Sequence, residues 1–475
     1  MRDSFRNILK LKENIDDFLS GQEVSNLFKI YNKTLGVPEE VSQQYMKQRL
    51  SRLYVMTKAS FSYKISIFFL PISLIQYLGY LIYVWFCSSK SNELVNRYAL
   101  LVDEIPNGNE LQRWSRLEEK FTVQKTLFIS RVKLNSDVLS KHNIITRSTL
   151  HKYNRKLVSF FLFKRIVRDI VSIGIISVKK RVNFFHLHII YVNDYLYYKS
   201  IFIDYKGEYL IQDRNLGRTN ALKNYLFKNS GGKFSCCTQK NLIQHNSNNL
   251  FYDTDIFFSL GSRSCEDVGK LGSRIGMIIP VGSLSMEEIN NRHEGNFLLE
   301  PDSIKYDVLL IGINMVNATS ENNEGYYKSI SWLAELSNYF GELNFYIKHH
   351  PSWDSDPREL EIIEGGKIKY VDKQINSYEV CRDSKIILTY GSTMAYELLG
   401  FGKKVYMLDP DKGSEFLSSR DALSTFYVSQ LDDLKAKINK DLKSQEAVLF
   451  CEDYCLPNVN VSEIIHDQLT SLSLR

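Results

Sequence analysis

Two short stretches in the second half of the 475-residue chain carry residue types suited to anionic phosphates. The first is Lys348, His349, His350 and Pro351, directly after an apolar run, Leu343 to Ile347, that reads as a strand. An ammonium supplies charge, an imidazole N–H can donate to a diphosphate, and Pro351 fixes the turn. The second is Gly391, Ser392 and Thr393, with Glu397 one helical turn on, after a strand at Lys385 to Thr389. Gly391 permits a tight strand-to-helix turn, Ser392 can cap, and the N–H groups at the helix start favour phosphate oxygens. Glu397 shares a helix face with Thr393, where a carboxylate could accept hydrogen bonds from a ribose or sugar hydroxyl. Each stretch has a plainer reading. The second could be an ordinary capped crossover in which Glu397 pairs with Lys403 or Lys404. A buried histidine satisfying loop carbonyls is the favoured reading for His349, and the functional one for His350.

The elements that must hold these residues follow an α/β grammar. Strands are expected at Arg97 to Ile105 and Lys125 to Ser130, and short apolar runs recur at Tyr198 to Asp204, Lys233 to Gln239, Asp255 to Leu260 and Gly276 to Pro280. Around Glu300 to Tyr306 the sequence turns polar and the alternation begins again. Strands are then expected at Asp307 to Ile313, Leu343 to Ile347, Ile368 to Tyr370, Lys385 to Thr389 and Lys404 to Leu408. Helices are expected at Tyr326 to Phe340, Ser377 to Arg382 and Thr393 to Leu399, with closing helices at Asp432 to Leu442 and Val461 to Leu472. Strands alternating with helices imply parallel sheets with crossover helices, hence two α/β lobes in series. In such sheets ligands bind outside the carboxyl ends of the strands, where both stretches fall. The expected domains are a helical accessory region 1–90, a first Rossmann-like lobe 91–300 and a second, nucleotide-binding lobe 301–475.

Composition narrows the function classes. The chain is 44% hydrophobic and 24% charged, so it can bury a sizeable core, and its net charge of +6 is too dilute for a nucleic-acid binder. Seven cysteines without a C-x-x-C suggest neither a disulfide framework nor a zinc ribbon. No early apolar core followed by a small-residue cleavage site suggests a signal peptide. The uncharged segment Ile65 to Cys87 is 23 residues long, enough to span a bilayer at about 1.5 Å per residue. Lys47, Arg49, Arg52, Lys58 and Lys64 before it, against Lys90 and Arg97 after it, would leave the N-terminus in the cytoplasm. Pro71 could instead break the helix into a re-entrant or surface-lying hairpin, or the segment could be a buried core helix. A second apolar stretch, Lys152 to Val178, is interrupted by Lys164, Arg165, Arg168 and Asp169 and reads as a core-facing amphipathic helix.

A His-Pro after one strand and a G-S-T-x-x-x-E turn after a later one resemble the donor lobe of GT-B glycosyltransferases of bacterial surface and capsular polysaccharide synthesis. Within that group the chain resembles capsule Kdo transferases, polysialyltransferases and CDP-glycerol glycerophosphotransferases. The resemblance covers mainly Asp307 to Pro410 and, more weakly, Asn220 to Met286. There Ile243, Gln244 and His245 look like a Q-H-G element, with Asn246 in place of the glycine. It implies a GT-B-like fold of two Rossmann-like lobes facing a cleft, and a nucleotide-sugar donor, CMP- or UDP-linked, with no further cofactor and no metal. It further implies a lipid-linked or polysaccharide acceptor and action at the cytoplasmic face of the membrane. Lys348, His350, Pro351, Gly391, Ser392, Thr393 and Glu397 would hold the donor, and His245 and His350 would act in catalysis; Asp204 and Glu266 are further base candidates. Asp253 and Asp255 match D-x-D but enter a strand and read as its boundary. Asp103 and Glu104 precede Ile105 rather than the glycine of a polysialyltransferase base motif. The rivals are a glycerol- or ribitol-phosphate transferase, a lumenal type II enzyme, and a non-catalytic scaffold of a glycan-assembly complex.

Overall fold

The structure is a computed structural model, and it describes residues 5–55, 60–89, 96–105, 109–130, 140–146, 153–212, 220–240, 247–265, 268–293, 304–312, 320–350, 357–364, 366–392, 394–410, 426–443, 452–457 and 460–474. The chain forms two compact units. One comprises Phe5–Ser259, Asp267–Ile279 and Ser462–Arg475, and the other Leu260–Glu266 and Pro280–Val461. The helical N-terminal residues thus belong to the first unit, as does nearly all of the last helix.

The first unit opens with helices α1 (Phe5–Ser20), α2 (Gln22–Leu35), α3 (Glu39–Leu53) and α4 (Leu70–Phe86). Then come strands β1 (Asn96–Ile105), β2 (Thr126–Ser130) and β3 (Ile144–Thr146), and two long helices, α5 (Arg155–Lys180) and α6 (Phe184–Asp204). Strand β4 (Tyr205–Gln212), helix α7 (Ala221–Lys228) and strands β5 (Phe234–Thr238), β6 (Asp253–Ser259) and β7 (Arg274–Pro280) complete its sheet. The sheet order is β7-β6-β5-β4-β1-β2-β3, with β1 parallel to both β2 and β4. Its central strands bury Leu100, Leu101, Val102, Phe128, Leu210, Ile211 and Phe257.

The second unit runs through α8 (Leu284–Arg292), β8 (Tyr306–Ile311), α9 (Ser320–Tyr339), β9 (Phe345–Lys348), α10 (Pro357–Ile363) and β10 (Ile368–Tyr370). It continues with α11 (Ser377–Arg382), β11 (Ser384–Thr389), α12 (Met394–Gly400), β12 (Lys404–Leu408), β13 (Tyr427–Val428) and α13 (Leu431–Lys443). Its six strands lie in the order β10-β9-β8-β11-β12-β13, every neighbouring pair parallel. The interior strands read as near-continuous apolar runs because both faces are covered, with Val308, Leu310, Ile347, Ile386 and Leu388 packed against Ile330, Leu333 and Leu336 of α9. A last helix, α14 (Val461–Ser473), places Ser473 Oγ 2.6 Å from the Tyr209 hydroxyl of β4.

In both sheets the first strand in chain order lies centrally, the next two go to one side and the fourth and later strands to the other. That is the doubly wound Rossmann order, which creates one switch point per sheet, between β1 and β4 and between β8 and β11. The expectation of two Rossmann-like lobes is met.

Three local expectations need correction. Tyr198 to Asp204 is the end of helix α6, and the strand is the next segment, β4. Tyr197, Tyr198, Ile201 and Phe202 are all buried there, so both helix and strand periodicities fit the run. Pro71 does not break the apolar segment. It stands in the first turn of α4, where its missing N–H costs no helical hydrogen bond. Helix α5 does not face a core throughout, because Phe160, Val171, Ile175 and Val178 are exposed along it.

Candidate functional site

The His350 and Gly391 stretches come together at the carboxyl edge of the second unit's sheet. Ile311, the last residue of β8, is in register with Lys348 of β9 on one side and with Thr389 of β11 on the other. With neighbouring strands about 4.8 Å apart, the Lys348 and Thr389 turns stand roughly 10 Å from each other across the end of β8. The next residue, Gly312, draws the edge tighter. Its N–H donates to the Lys348 carbonyl at 2.9 Å, and a Cβ in its place would lie 3.4 Å from the Cα of His349.

The Gly391 turn forms as its sequence demands. Gly391 adopts φ +75°, a left-handed backbone that disfavours side chains, and so reverses the chain directly after β11. The Ser392 N–H donates to Thr389 Oγ1 at 3.3 Å, and Ser392 Oγ accepts from the Met394 N–H at 3.4 Å. Ser392 thus caps α12 as expected, which engages one of the helix-start N–H groups. Ser392 and Gly391 remain partly exposed at the β11 end, and His350 is exposed at the β9 end. Burial, and then the positive charge of Lys348, hold the His350 imidazole below its usual pKa, so it is neutral at pH 7.

Other expected ligands are turned elsewhere. Lys348 is buried, and its Nζ donates back to the carbonyls of Lys373 at 3.0 Å and His349 at 3.4 Å. Desolvation lowers its pKa. His349 is also buried, but its partner is a carboxylate rather than a loop carbonyl: Nε2 lies 2.6 Å from Glu359 Oε1, which also accepts from the Tyr370 hydroxyl at 2.8 Å. Glu397 is buried with both carboxylate oxygens engaged, Oε1 by the Ser283 hydroxyl at 2.5 Å and Oε2 by the Tyr378 hydroxyl at 2.7 Å. Lys403 Nζ donates to the carbonyls of Arg382 and Ser384, and Lys404 Nζ to that of Asp441. His245, Glu266, Pro351 and Thr393 lie outside the described residues.

The first unit has its own polar cluster at the corresponding edge. Asp103 of β1 is in register with Gln212, the last residue of β4, so it stands at that sheet's switch point. Lys223 Nζ of α7 donates to Asp103 Oδ2 at 2.5 Å, and both side chains are fully buried. Gln212 Nε2 donates to Asn224 Oδ1 at 3.0 Å alongside. In the sequence no glycine follows Glu104, and the available signal is that Asp103 is the first carboxylate after the buried apolar run Leu100, Leu101 and Val102 of β1. Asp253 and Asp255 open β6 and are satisfied by cations, Arg274 and Lys228 respectively, with Ser235 donating to Asp255 as well. Asp204 closes α6 rather than a strand.

No family model and no curated protein matches the chain. Among solved structures it is similar to the UDP-GlcNAc 2-epimerase from Neisseria meningitidis bound to UDP-GlcNAc, with a TM-score of 0.47 and 15% identity over 79% of this chain and 100% of that one. It is similar to S. aureus MnaA in its UDP co-structure, with a TM-score of 0.46 and 10% identity over 79% and 98%. It is similar as well to the wall teichoic acid polymerase TagF, with a TM-score of 0.46 and 9% identity over 84% and 96%.

Proposed function

We propose that the protein is a GT-B-type transferase that binds a nucleotide-linked donor in its second unit and passes the linked sugar to a lipid-linked or polysaccharide acceptor. The observation that carries this reading is the placement of the His350 turn and the Gly391–Ser392 turn on one sheet edge, either side of the switch-point strand β8. An open parallel sheet holds ligands at such a crevice, and this one presents a glycine turn, a hydroxyl and an uncharged imidazole to a diphosphate. His350 would donate one hydrogen bond to the leaving phosphate as negative charge builds on it. Lys348 supports its carbonyl turn and Glu397 braces α12, so neither is assigned to the donor.

Thermal unfolding with CMP, CDP, UDP and GDP tests the reading, because a ligand bound only by the native state raises Tm with its concentration. One of the four should stabilise the protein. His350→Ala and Ser392→Asp should abolish that shift; the aspartate keeps an N-cap while setting a negative charge against phosphate. A shift unchanged in both variants would remove the site, and no shift with any nucleotide would leave the scaffold reading. A preference for CDP together with incorporation of glycerol phosphate would identify the polyol-phosphate transferase.

A further inference from the structure

Helix α4 carries no charged residue, and it lies against the first unit along one stripe only: Ser73, Tyr77, Leu81 and Val84 are buried. Ser73 Oγ accepts from Asn183 Nδ2 at 2.8 Å, and the Tyr77 hydroxyl lies 3.3 Å from His188 Nε2 of α6. The opposite stripe is bare, with Ile75 70% exposed, Ile82 61% and Phe86 78%, and Phe68 just before the helix 87%. Helix α5 continues that surface. Its exposed Val171, Ile175 and Val178 meet the start of α4 across a groove of about 670 Å³ lined by Leu70, Pro71, Ile170 and Gly174. At the other end the Arg155 guanidinium of α5 stands 4.9 Å over the Trp85 ring of α4, so the two helices run antiparallel. Contiguous apolar surface of this extent marks an interaction site.

Its rim is basic. Arg155 and Lys156 are exposed at one end of the pair, and Lys64, Lys179 and Arg181 at the other. Helix α5 holds seven basic residues and a single acidic one, Asp169, which is buried. We propose that the α4/α5 face docks onto an anionic lipid bilayer, with both helices in the plane of the interface and the rim bases at the headgroups. An apolar face ringed by cations is complementary to acyl chains beneath anionic headgroups. A second copy fits worse, since a two-fold contact would set the same bases against each other. A single span fits worse too, because it would pull Ser73, Tyr77, Leu81 and Val84 off the protein. This surface stands apart from the transfer chemistry and does not rest on it.

Flotation of the full-length protein with vesicles of phosphatidylcholine, with and without phosphatidylglycerol, tests the proposal. The protein should float with the anionic vesicles, and Ile75→Asp with Ile175→Asp should cut binding at least about tenfold. Lys179→Glu with Arg181→Glu should cut it less and reduce its salt dependence. All four positions are exposed, so the fold is spared. In sealed membranes from expressing cells, cysteines replacing Tyr63 and Ser89 at the two ends of the segment should react with an impermeant maleimide from the same side. Labelling from opposite sides would establish a span and overturn the proposal. So would wild-type protein that ignores both vesicle types, including the case in which it forms a dimer that the aspartate variant dissociates.

Discussion

The Tyr378 hydroxyl donates to Glu397 at 2.7 Å, which ties α11 to α12 beneath the Gly391 turn. With Ser283 on its other oxygen, Glu397 is a buried brace between three elements of the second unit.

Removing one donor should therefore cost stability. Tyr378→Phe is expected to lose about 1.5–3 kcal/mol, the range for a hydrogen bond to a charged group, in chemical denaturation. The nucleotide-induced rise in Tm should persist in this variant. A variant as stable as the parent but blind to nucleotide would return Glu397 to the ligand.

The Asp103–Lys223 pair should show the asymmetry of buried charges. Lys223→Met leaves a carboxylate without its partner and should destabilise by about 3–5 kcal/mol. Asp103→Leu combined with Lys223→Met should lose far less than the sum of the two single changes, because no unpaired charge remains. Additive losses in a double-mutant cycle would show that the two groups do not interact.

Lys403 should give a pH signature. Burial pushes its pKa down to about 8 from 10.5, so between those values the unfolded chain binds more protons than the native one. Stability from this group therefore rises with pH across that window, and below about pH 8 its cost is complete, on the order of 3 kcal/mol at about 1.4 kcal/mol per unit. Stability measured from about pH 7 to about pH 10.5 should climb more steeply in the parent than in Lys403→Met. Parallel curves would contradict the depressed value.

Much of the architecture was readable in the residues. Strands Ile368–Tyr370 and Lys404–Leu408 and helix Ser377–Arg382 coincide with their expected bounds, because short apolar runs between turn formers leave few alternatives. Tyr198 to Asp204 was misread because a seven-residue run with only Tyr198, Ile201, Phe202 and Ile203 apolar is too short for its period to separate helix from strand. For the site, the sequence by itself determined that a histidine turn and a glycine turn follow two strands of one parallel sheet. Only the tertiary structure decided that the two turns flank β8, since strand order depends on which crossovers pack on which face. It also decided which side chains face outward. The burial of Lys348 and Glu397 and the pairing of Asp103 with Lys223 join residues 25, 19 and 120 positions from their partners. Helical and strand periodicities carry no information over such separations, because those contacts are made by packing between elements and not along any one of them.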